Sequence, residues 1–402
     1  MSYRSMARSC TSARPEDALL LCCARAWTDA ESVERIAALV QHDLDWEYLL
    51  RMAQWHALIP LLFWHLNATC PEAVPSAPWQ RLRERFHANA RHNLLLTGAL
   101  LKLLRLLAAH NIPAVPFKGP VLAMAVYGDL ALRQFVDVDL LVHPRDVLHV
   151  KALLLSHGYH LALPLTAAQE VAFLRIANEY PFVHHDGVGC VDLHWAINRR
   201  SWPTPYDPER MRERLVPVVL GGQEVLTFAP EDTLLTLCVH GTKHLWYKLQ
   251  WLCDVARLLG TYGGLDWERI MAQAHALGSA RMLSLGLRLA HDLLGVTLPE
   301  EVWRRVQDDP VVPGLAAQVR TLLFRDTQAL PQGPQSTWFG LRAMETLGRR
   351  GRFLYDTLLT PTPLEWALVP LPTALFPLYY TLRPLRLSGK YTLRLLKRLL
   401  GP

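Results

Sequence analysis

Apolar residues recur with helical spacing over most of the chain, and one section breaks this pattern. Short helices are predicted within residues 15–66, and residues 79–110 predict a long helix with its leucines on one side. Within residues 114–195, short apolar runs that end in glycine or proline predict strands and helices. Helical spacing returns from residue 203 onward. The pattern predicts an α+β protein in which a small mixed sheet is embedded between N-terminal and C-terminal helical regions.

The second half of the chain contains repeated helix-start signals. Pro230 begins one predicted helix, with acidic residues in its first turn, and other predicted helices are 251–260, 267–277, 280–294 and 299–307. Residues 330–351 are rich in Gly, Pro, Gln and Arg, which is typical of a linker. The expected parts of the chain are an N-terminal helical region (1–110), an α/β core (111–200), a C-terminal helical domain (201–330), and a linker with a basic apolar tail (331–402).

Two aspartates separated by one residue lie on an apolar predicted strand, residues 135–142. Because successive side chains of a strand point to opposite faces, Asp137 and Asp139 share one face, and valines and leucines cover the other. Two buried carboxylates this close repel each other unless a cation lies between them. Mg²⁺ suits such a pair, since it binds carboxylate and phosphate oxygens. A strand with a solvated polar face is the alternative interpretation.

The segments on either side of this strand favour the metal site. Upstream, a short apolar run ends in Lys118 and Gly119, and a proline follows at the start of a predicted helix. Free N–H groups at such a start bind phosphate, and a glycine lets the backbone approach it. Downstream, residues 189–195 predict another strand with Asp192 and His194 on one face. Asp192 thus offers a third carboxylate, and a solvated strand histidine is one interpretation of His194.

The order of these segments resembles the DNA polymerase β-type nucleotidyltransferase superfamily. In that superfamily a strand with a glycine turn precedes a helix, an Asp-x-Asp strand follows, and a later strand supplies a third acid. A closer resemblance, over roughly residues 40–265, is to a family of uncharacterised nucleotidyltransferases. It rests on Lys118-Gly119, Tyr127, Arg133, 137–142, Gly158-Tyr159, 192–195, 230–232, His240-Gly241, Lys243-His244 and 251–254. Two features differ from the superfamily: Pro120 replaces the usual serine, and the interval from Gly119 to Asp137 is longer.

This resemblance implies an enzyme that moves a nucleoside monophosphate from an NTP to a hydroxyl-bearing acceptor and releases pyrophosphate. Asp137 and Asp139 would hold Mg²⁺ on the NTP phosphates. Asp192 would share a second ion with them and take the proton of the acceptor. The sequence does not identify the acceptor, which is open among a small molecule, a peptide, RNA and a protein.

In addition to the three acids, several basic residues are candidates for nucleotide binding. Lys118 either meets the triphosphate, beside Gly119, or is an exposed lysine at a strand end. Arg133 either binds phosphate or forms a structural salt bridge. His240 and His244 have the spacing of two zinc ligands on a helix, but the glutamate of a zinc protease is missing there. Metal binding, contact with the nucleotide together with Lys243, and ordinary packing are the three interpretations of this pair.

The net charge of +6 is concentrated at the C-terminus. Residues 366–402 contain six basic residues and no acidic ones, which leaves 36 basic and 36 acidic residues elsewhere. A neutral body argues against a long nucleic acid as the partner. Residues 390–400 predict a basic amphipathic helix. This helix either docks its leucines on the protein or, as part of residues 384–402, contacts an anionic membrane surface.

The sequence also predicts a cellular location and leaves two alternative functions open. Seven cysteines without regular spacing, and no apparent secretory signal, predict a cytoplasmic protein, with the tail as the segment that would bring it to the inner face of a membrane. A catalytically silent nucleotide-binding regulator is one alternative function. A membrane-proximal assembly factor, in which the tail is the functional part, is the other.

Overall fold

Helices surround a small sheet in the computed structural model, which describes residues 14–25, 30–187, 189–203, 212–325 and 333–400, with side chains up to residue 389. The N-terminal helices are α1 Pro15–Ala24, α2 Ala30–Val40, α3 Trp46–Trp55, α4 Ile59–Thr69 and α5 Ser76–Ala109. The mixed section contains β1 Ala114–Pro116, α6 Gly119–Leu122, β2 Val138–Val142, α7 Val147–Ser156, β3 Tyr159–Leu161, α8 Ala167–Ile176, β4 Glu179–His184 and β5 Cys190–His194. A hairpin follows, β6 Val216–Leu220 and β7 Gln223–Thr227.

The remaining described elements are helical. They are α9 Pro230–Lys243, α10 Leu249–Thr261, α11 Trp267–Leu277, α12 Ala280–Leu294, α13 Glu300–Asp308, α14 Val312–Leu323, α15 Pro334–Ala343, α16 Leu347–Leu358, α17 Pro363–Leu368 and α18 Tyr379–Leu400. The helices from Pro230 to Asp308 begin and end within about two residues of the predicted bounds, and the long helix Ser76–Ala109 begins three residues before its predicted start at residue 79.

The larger sheet has the strand order β1-β2-β5-β4-β3. Strand β2 pairs in parallel with β5, and the other neighbouring strands are antiparallel. The sheet is therefore mixed, and the predicted α+β class is confirmed. The register of the parallel pair places Asp139 directly beside Asp192.

Strand β2 has the predicted alternation of side chains. Val138, Leu140 and Val142 are buried in a hydrophobic cluster with α7, while Leu141 packs in a small cluster on the opposite face. Asp139 lies on that second face with Leu141, because side chains two residues apart share a face. The apolar face of β2 thus fixes the strand against the core and directs its aspartate away from it.

The N-terminal helices and the helices from Pro230 onward share one hydrophobic core. Trp246 is fully buried at its centre, next to two glycines. A Cβ atom on Gly241 would lie 2.5 Å from the indole ring, and one on Gly286 would lie 3.2 Å from it. Any larger residue at Gly241 would have to displace this ring, so the glycine is needed for close packing.

Two predictions about the second half are wrong. The described part of the predicted linker 330–351, residues 333–351, contains α15 and the start of α16, because Phe339 and Phe353 are buried and fix these segments on the helical core. The region after residue 203 is not helical throughout. The hairpin β6–β7 interrupts it, with a turn at Gly221 and Gly222, both of which have positive φ.

The tail begins with contacts to the body of the protein. Tyr379, at the start of α18, is buried, and its hydroxyl donates to the Val369 carbonyl at 2.7 Å. Arg386 donates to the carboxylate of Glu365 at 2.5 Å. The predicted helix over residues 390–400 is confirmed as part of α18. These contacts join its first two turns to α17, and the membrane contact of residues 384–402 stays a prediction.

One helix in the described part of the chain, Ser76–Ala109, is long and apolar enough to cross a membrane by length and composition alone. In its apolar window 39% of the residues are buried in the protein. The helix also carries Asn93, whose side-chain amide donates to the carbonyls of Leu130 and Arg133 at 2.6 and 2.7 Å. A core helix of a soluble protein meets the same length and composition criteria, so the finding is weak evidence for a span.

His56 is expected to make the stability of the fold depend on pH. It is fully buried; its Nδ1 accepts from the Leu249 N–H at 3.3 Å, and its Nε2 lies 3.1 Å from the Leu323 carbonyl. Burial lowers its pKa to about 4. The unfolded chain, with a histidine pKa of about 6.5, therefore binds a proton that the folded chain does not. We expect His56 to contribute about 3 kcal/mol of stability above pH 6.5, lost as the pH falls toward about 4.

Urea unfolding of wild type and His56→Gln between pH 7 and 4 measures this contribution. The free energy of unfolding of the wild type should fall more steeply with decreasing pH, by up to about 1.4 kcal/mol per pH unit. His42→Gln, at an exposed histidine, serves as the control and should follow the wild type. Equal slopes for wild type and His56→Gln would contradict the assignment.

Candidate active site

The parallel pairing of β2 and β5 brings side chains of two strands together at one face of the sheet. Asp139 lies on β2, and Asp192 and His194 lie on β5. One potential ligand atom from each of the three residues lies within 4.8 Å of the other two. Strand register alone creates this arrangement, because Asp139 is opposite Asp192 and Leu141 is opposite His194. The face thus offers two carboxylates and an imidazole at distances suited to one metal ion.

Asp139 is the most strongly held of the acids. Its Oδ1 accepts from the Lys118 ammonium at 2.9 Å and lies 3.1 Å from Nε2 of His194. Burial by itself raises the pKa of this carboxyl group, but Lys118 and His194 together outweigh it and hold the pKa well below its ordinary value. Asp139 is therefore ionised in the folded protein, and Lys118 is not the exposed lysine of the alternative interpretation.

The other two acids have the opposite shift. Burial, followed by the charge of Asp139, raises the pKa of Asp137. Burial, followed by the charges of Asp139 and Asp137, raises the pKa of Asp192 to about 7. We call Asp137, Asp139 and Asp192 the acidic cluster. Its mutual repulsion favours the uptake of either a proton or a cation.

The donor atoms of the acidic cluster fit Mg²⁺. Carboxylate oxygens are the protein ligands that this hard cation takes, and three acids leave room for oxygens from a substrate. His194 fits a different role, because both of its ring nitrogens face acceptors. Nε2 faces Asp139, and Nδ1 lies 3.3 Å from Oε2 of Glu179. This ring is placed to donate hydrogen bonds and to orient Asp139 rather than to offer a lone pair.

Glu179 and the burial of His194 were not anticipated from the sequence. Glu179 lies opposite His194 in the β4–β5 pairing, and Asn178 donates to Oε2 of Glu179 at 2.8 Å. The edge of the His194 ring also packs on Phe117, with ring centroids 5.1 Å apart. His194 is 2% exposed, so the solvated histidine of the alternative interpretation is wrong. In the sequence, the alternation of Tyr180 and Phe182 with their neighbours was the available signal for a strand that carries Glu179.

The glycine turn packs closely against the Asp-x-Asp strand. Gly119 has φ of +54°, and a Cβ atom there would lie 3.0 Å from the Asp137 carbonyl oxygen. A side chain at this position would meet both backbone strain and a backbone clash, so glycine is required. The Phe117 N–H donates to the Asp139 carbonyl at 3.3 Å just before the turn. Together these contacts place the ammonium of Lys118 beside the acids.

The guanidinium of Arg133 lies against Asp254 and not toward the centre of the cluster. Nε and NH2 of Arg133 donate to the two carboxylate oxygens of Asp254 at 2.8 and 2.9 Å. Tyr127 donates to the same carboxylate at 2.7 Å, and all three side chains are buried. This geometry favours the structural salt bridge, which the sequence left open, over contact with phosphate.

His240, Lys243 and His244 lie at the end of α9, near Lys118. The rings of His240 and His244 are 4.7 Å apart, and each packs on Trp251. Burial, followed by the charge of Lys118, lowers the pKa of His240 well below its ordinary value. Burial also lowers the pKa of Lys243, although Glu179 opposes this shift. The packing interpretation of the histidines is thus supported, and their contact with a nucleotide stays a prediction.

A glycine turn, an Asp-x-Asp strand and a third aspartate on the neighbouring parallel strand define a nucleotidyltransferase core. The model of a family described as uncharacterised nucleotidyltransferase matches residues 42–295, more than half of the chain. The protein belongs to this family. It is an enzyme of the nucleotidyltransferase class, as the resemblance implied.

Comparisons with other proteins add two distant similarities. The antibiotic-resistance factor ANT(2″)-Ia matches with 14% identity and a TM-score of 0.33, over 45% of this chain and 89% of that chain. An antigenic nucleotidyltransferase-like protein from Paracoccidioides brasiliensis matches with 16% identity and a TM-score of 0.31, over 53% of this chain and 96% of that chain. No curated protein sequence matches the chain. Neither similarity bears on the substrates of this protein.

The structural role of Arg133 predicts a large loss of stability when its ion pair is broken. Arg133→Met and Asp254→Asn should each lower the free energy of unfolding by about 3–5 kcal/mol, because each leaves a buried charged partner without its counterion. The double variant Arg133→Met/Asp254→Leu should lose less unfolding free energy than the two single variants added together, since it removes both charges.

Urea unfolding measures these differences, with Arg304→Met as the control. Arg304 and Glu300 form an exposed pair at 3.8 Å, and this pair should contribute less than about 1 kcal/mol. Losses near the control value in both single variants would contradict a structural role for Arg133.

Proposed function

We propose that this protein is a Mg²⁺-dependent enzyme that transfers a nucleoside monophosphate from an NTP to a hydroxyl-bearing acceptor and releases pyrophosphate. The observation that supports this most is the β2–β5 register, which sets Asp139 beside Asp192 with Asp137 two residues away. A cytoplasmic location is part of the same proposal. Family membership supports nucleotidyl transfer in general.

The residues of the site would prepare the acids for a cation. Lys118 and His194 keep Asp139 ionised, and the half-buried Asp192 and Asp137 are two further carboxylates whose charges act on it. When bound there, Mg²⁺ would neutralise charge on the NTP phosphates and lower the pKa of the acceptor hydroxyl. Asp137, Asp139 and Asp192 are its proposed ligands.

The transfer would be an in-line displacement at the α-phosphorus. The acceptor oxygen forms a bond to this phosphorus, and the bond from the phosphorus to the oxygen that bridges it to the β-phosphate breaks. That oxygen keeps the electron pair and leaves as part of pyrophosphate. Asp192 is proposed to take the acceptor proton or to help hold the ion that promotes its loss.

Two lysines are placed to meet the charge of the donor phosphates. Lys118 lies 2.9 Å from Asp139, and Lys243 is half-buried on the side of Glu179 and Lys118. An ammonium group binds phosphate as a point charge, so neither lysine needs a fixed orientation. We propose both, together with the backbone at Gly119, as contacts of the triphosphate, with His240 and His244 beside them.

Two other functions use the same fold differently. A catalytically silent regulator would bind the nucleotide without transfer, but the presence of all three acids favours an active site. A membrane-proximal assembly factor would act through residues 384–402. Incubating the protein with the four labelled NTPs and a cell extract tests the enzyme directly, since a labelled product and released pyrophosphate would identify donor and acceptor together. No labelled product with any NTP would favour the alternatives.

Metal and nucleotide should stabilise the protein together. Because Mg²⁺ relieves the repulsion within the acidic cluster, an MgNTP at about 100 times its Kd should add about 2.7 kcal/mol of stability, and the NTP with a chelator should add much less. Asp139→Asn should remove the difference between the two conditions. The measurement is the melting temperature with each of the four NTPs, with and without EDTA.

The matched control is Asp43→Asn, which removes an exposed carboxylate from the loop before α3. It should show the same Mg²⁺-dependent shift as the wild type. The proposal is in serious difficulty if none of the NTPs gives such a shift in the wild type.

Substitutions of Asp192 and of Asp137 should have different effects on NTP affinity and on transfer. If Asp192 serves the acceptor, Asp192→Ala should keep most of the NTP affinity and lose transfer, whereas Asp137→Ala should lose both. Titration calorimetry with MgNTP and a pyrophosphate-release assay measure the two properties separately. Equal loss of NTP affinity in the two variants would refute this division of roles.

A further inference from the structure

A cavity of about 530 Å³ lies between α3, α5 and the loop that leads into α10. Four basic side chains line it, Arg51, Arg81, Arg85 and Lys248, against one acid, Glu47. Arg81 forms an ion pair with Glu47, and no ion pair among the described residues engages the other three. The cavity, which we call the cationic cavity, therefore has more basic than acidic side chains among its described lining residues.

Aromatic side chains form part of its wall. Trp55 and Tyr247 both line the cavity, with ring centroids 5.7 Å apart and planes tilted by 41°. Tyr247 packs in turn on Trp251, the residue that contacts His240 and His244. Half-buried aromatic rings next to guanidinium groups suit a ligand that has both a flat ring and an anionic group.

Residues close in sequence to these two rings have an unfavourable backbone conformation. Ala57, just after Trp55, has φ of +57°, and Leu245 and Trp246, just before Tyr247, have φ of +55° and +51°. Such conformations are uncommon for residues other than glycine and persist where the surrounding structure requires them. The two cavity-lining rings thus occupy positions that are fixed at the cost of local strain.

The cationic cavity lies next to the acidic cluster. Gln134 lines it and precedes Asp137 by three residues, a span of at most about 10 Å of extended chain. Lys248 lines it as well; burial lowers the pKa of this lysine, and the charge of Asp137 is the main opposing influence. Of the acids in the cluster, Asp137 is therefore the one nearest the cavity along the chain, whereas Lys118 and Lys243 lie on the side of Asp139 and Glu179.

We infer that the cationic cavity binds the acceptor, and that the acceptor is a small molecule that carries a phosphate group and a planar ring. This inference rests on the proposed function, because it takes the donor phosphates to bind beside Lys118. The volume suits one small ligand, the arginines suit phosphate, and Trp55 and Tyr247 suit a ring. A hydroxyl of a molecule held there would lie near the acidic cluster. Nucleoside monophosphates have this chemistry and are the probes of choice.

The first experiment measures binding of AMP, GMP, CMP and UMP to the full-length protein in EDTA, by titration calorimetry. At least one should bind at least about tenfold more tightly than its nucleoside and than ribose 5-phosphate. Arg85→Gln and Trp55→Leu should each weaken this binding at least about tenfold. Arg83→Gln, at an exposed arginine of the same helix as Arg85, is the control and should bind as the wild type does.

The second experiment asks whether donor and acceptor sites are separate. A non-reactive MgNTP analogue, with a methylene group between the α- and β-phosphorus atoms, should bind together with the monophosphate. Competition between the two would overturn the acceptor assignment, because the cavity would then hold the donor. Absence of monophosphate binding, or binding that ignores Arg85→Gln, would overturn the site itself. If the monophosphate binds through Arg85 and Trp55 but no MgNTP binds, the cavity is supported as a binding site. The proposed nucleotidyl transfer would then be contradicted, and with it the role of the cavity as the acceptor site.

Discussion

The structure of the site depends on one electrostatic problem, the burial of Asp139 beside Asp192. Strand pairing leaves these carboxylates no freedom to separate, since they are opposite each other in the β2–β5 register. Lys118 and His194 compensate by binding the same oxygen of Asp139. Each compensating group needs support of its own: the glycine turn positions Lys118, and Glu179 and Phe117 orient His194. A single buried charge thus accounts for the residues that surround it, which come from the turn after β1 and from β4 and β5.

The loop that leads into β2 is also held in place, by side chains of two helices. The Arg133–Asp254 ion pair ties it to α10, and the side chain of Gln250 donates to the Gln134 carbonyl at 2.6 Å. From the other side, Asn93 of α5 binds the Arg133 carbonyl. Helix α5 and the loop that leads into α10 also border the cationic cavity. The entry to the Asp-x-Asp strand and the wall of the cavity are therefore held by the same part of the structure, as the proposed positioning of two substrates would require.

Local patterns predicted the parts of the site that depend on local geometry. The alternation along β2 placed Asp139, and the turn residues placed Lys118 and Gly119, whereas Asp137 lies just before the observed strand. The partners of these residues come from distant segments, as with Asp254, which is 121 residues from Arg133. Periodicity gives the faces of one element but not the element that packs against it, so Glu179, the burial of His194 and the cavity were not predicted. The same reason explains residues 333–351, whose weak helical signal is outweighed by the packing of Phe339 and Phe353.

The distribution of charge connects the site to the kind of substrate it suits. Outside the tail the basic and acidic residues balance, yet basic groups gather on both sides of the acidic cluster, at Lys118 and Lys243 and in the cationic cavity. Without them, three buried acids would repel every phosphate that approached before a metal ion arrived. Walls of low dielectric concentrate the field of such clusters within a cleft. A long polyanion gains affinity from an extended basic stripe instead, so this arrangement supports the proposal of two small anionic substrates that meet at the acids.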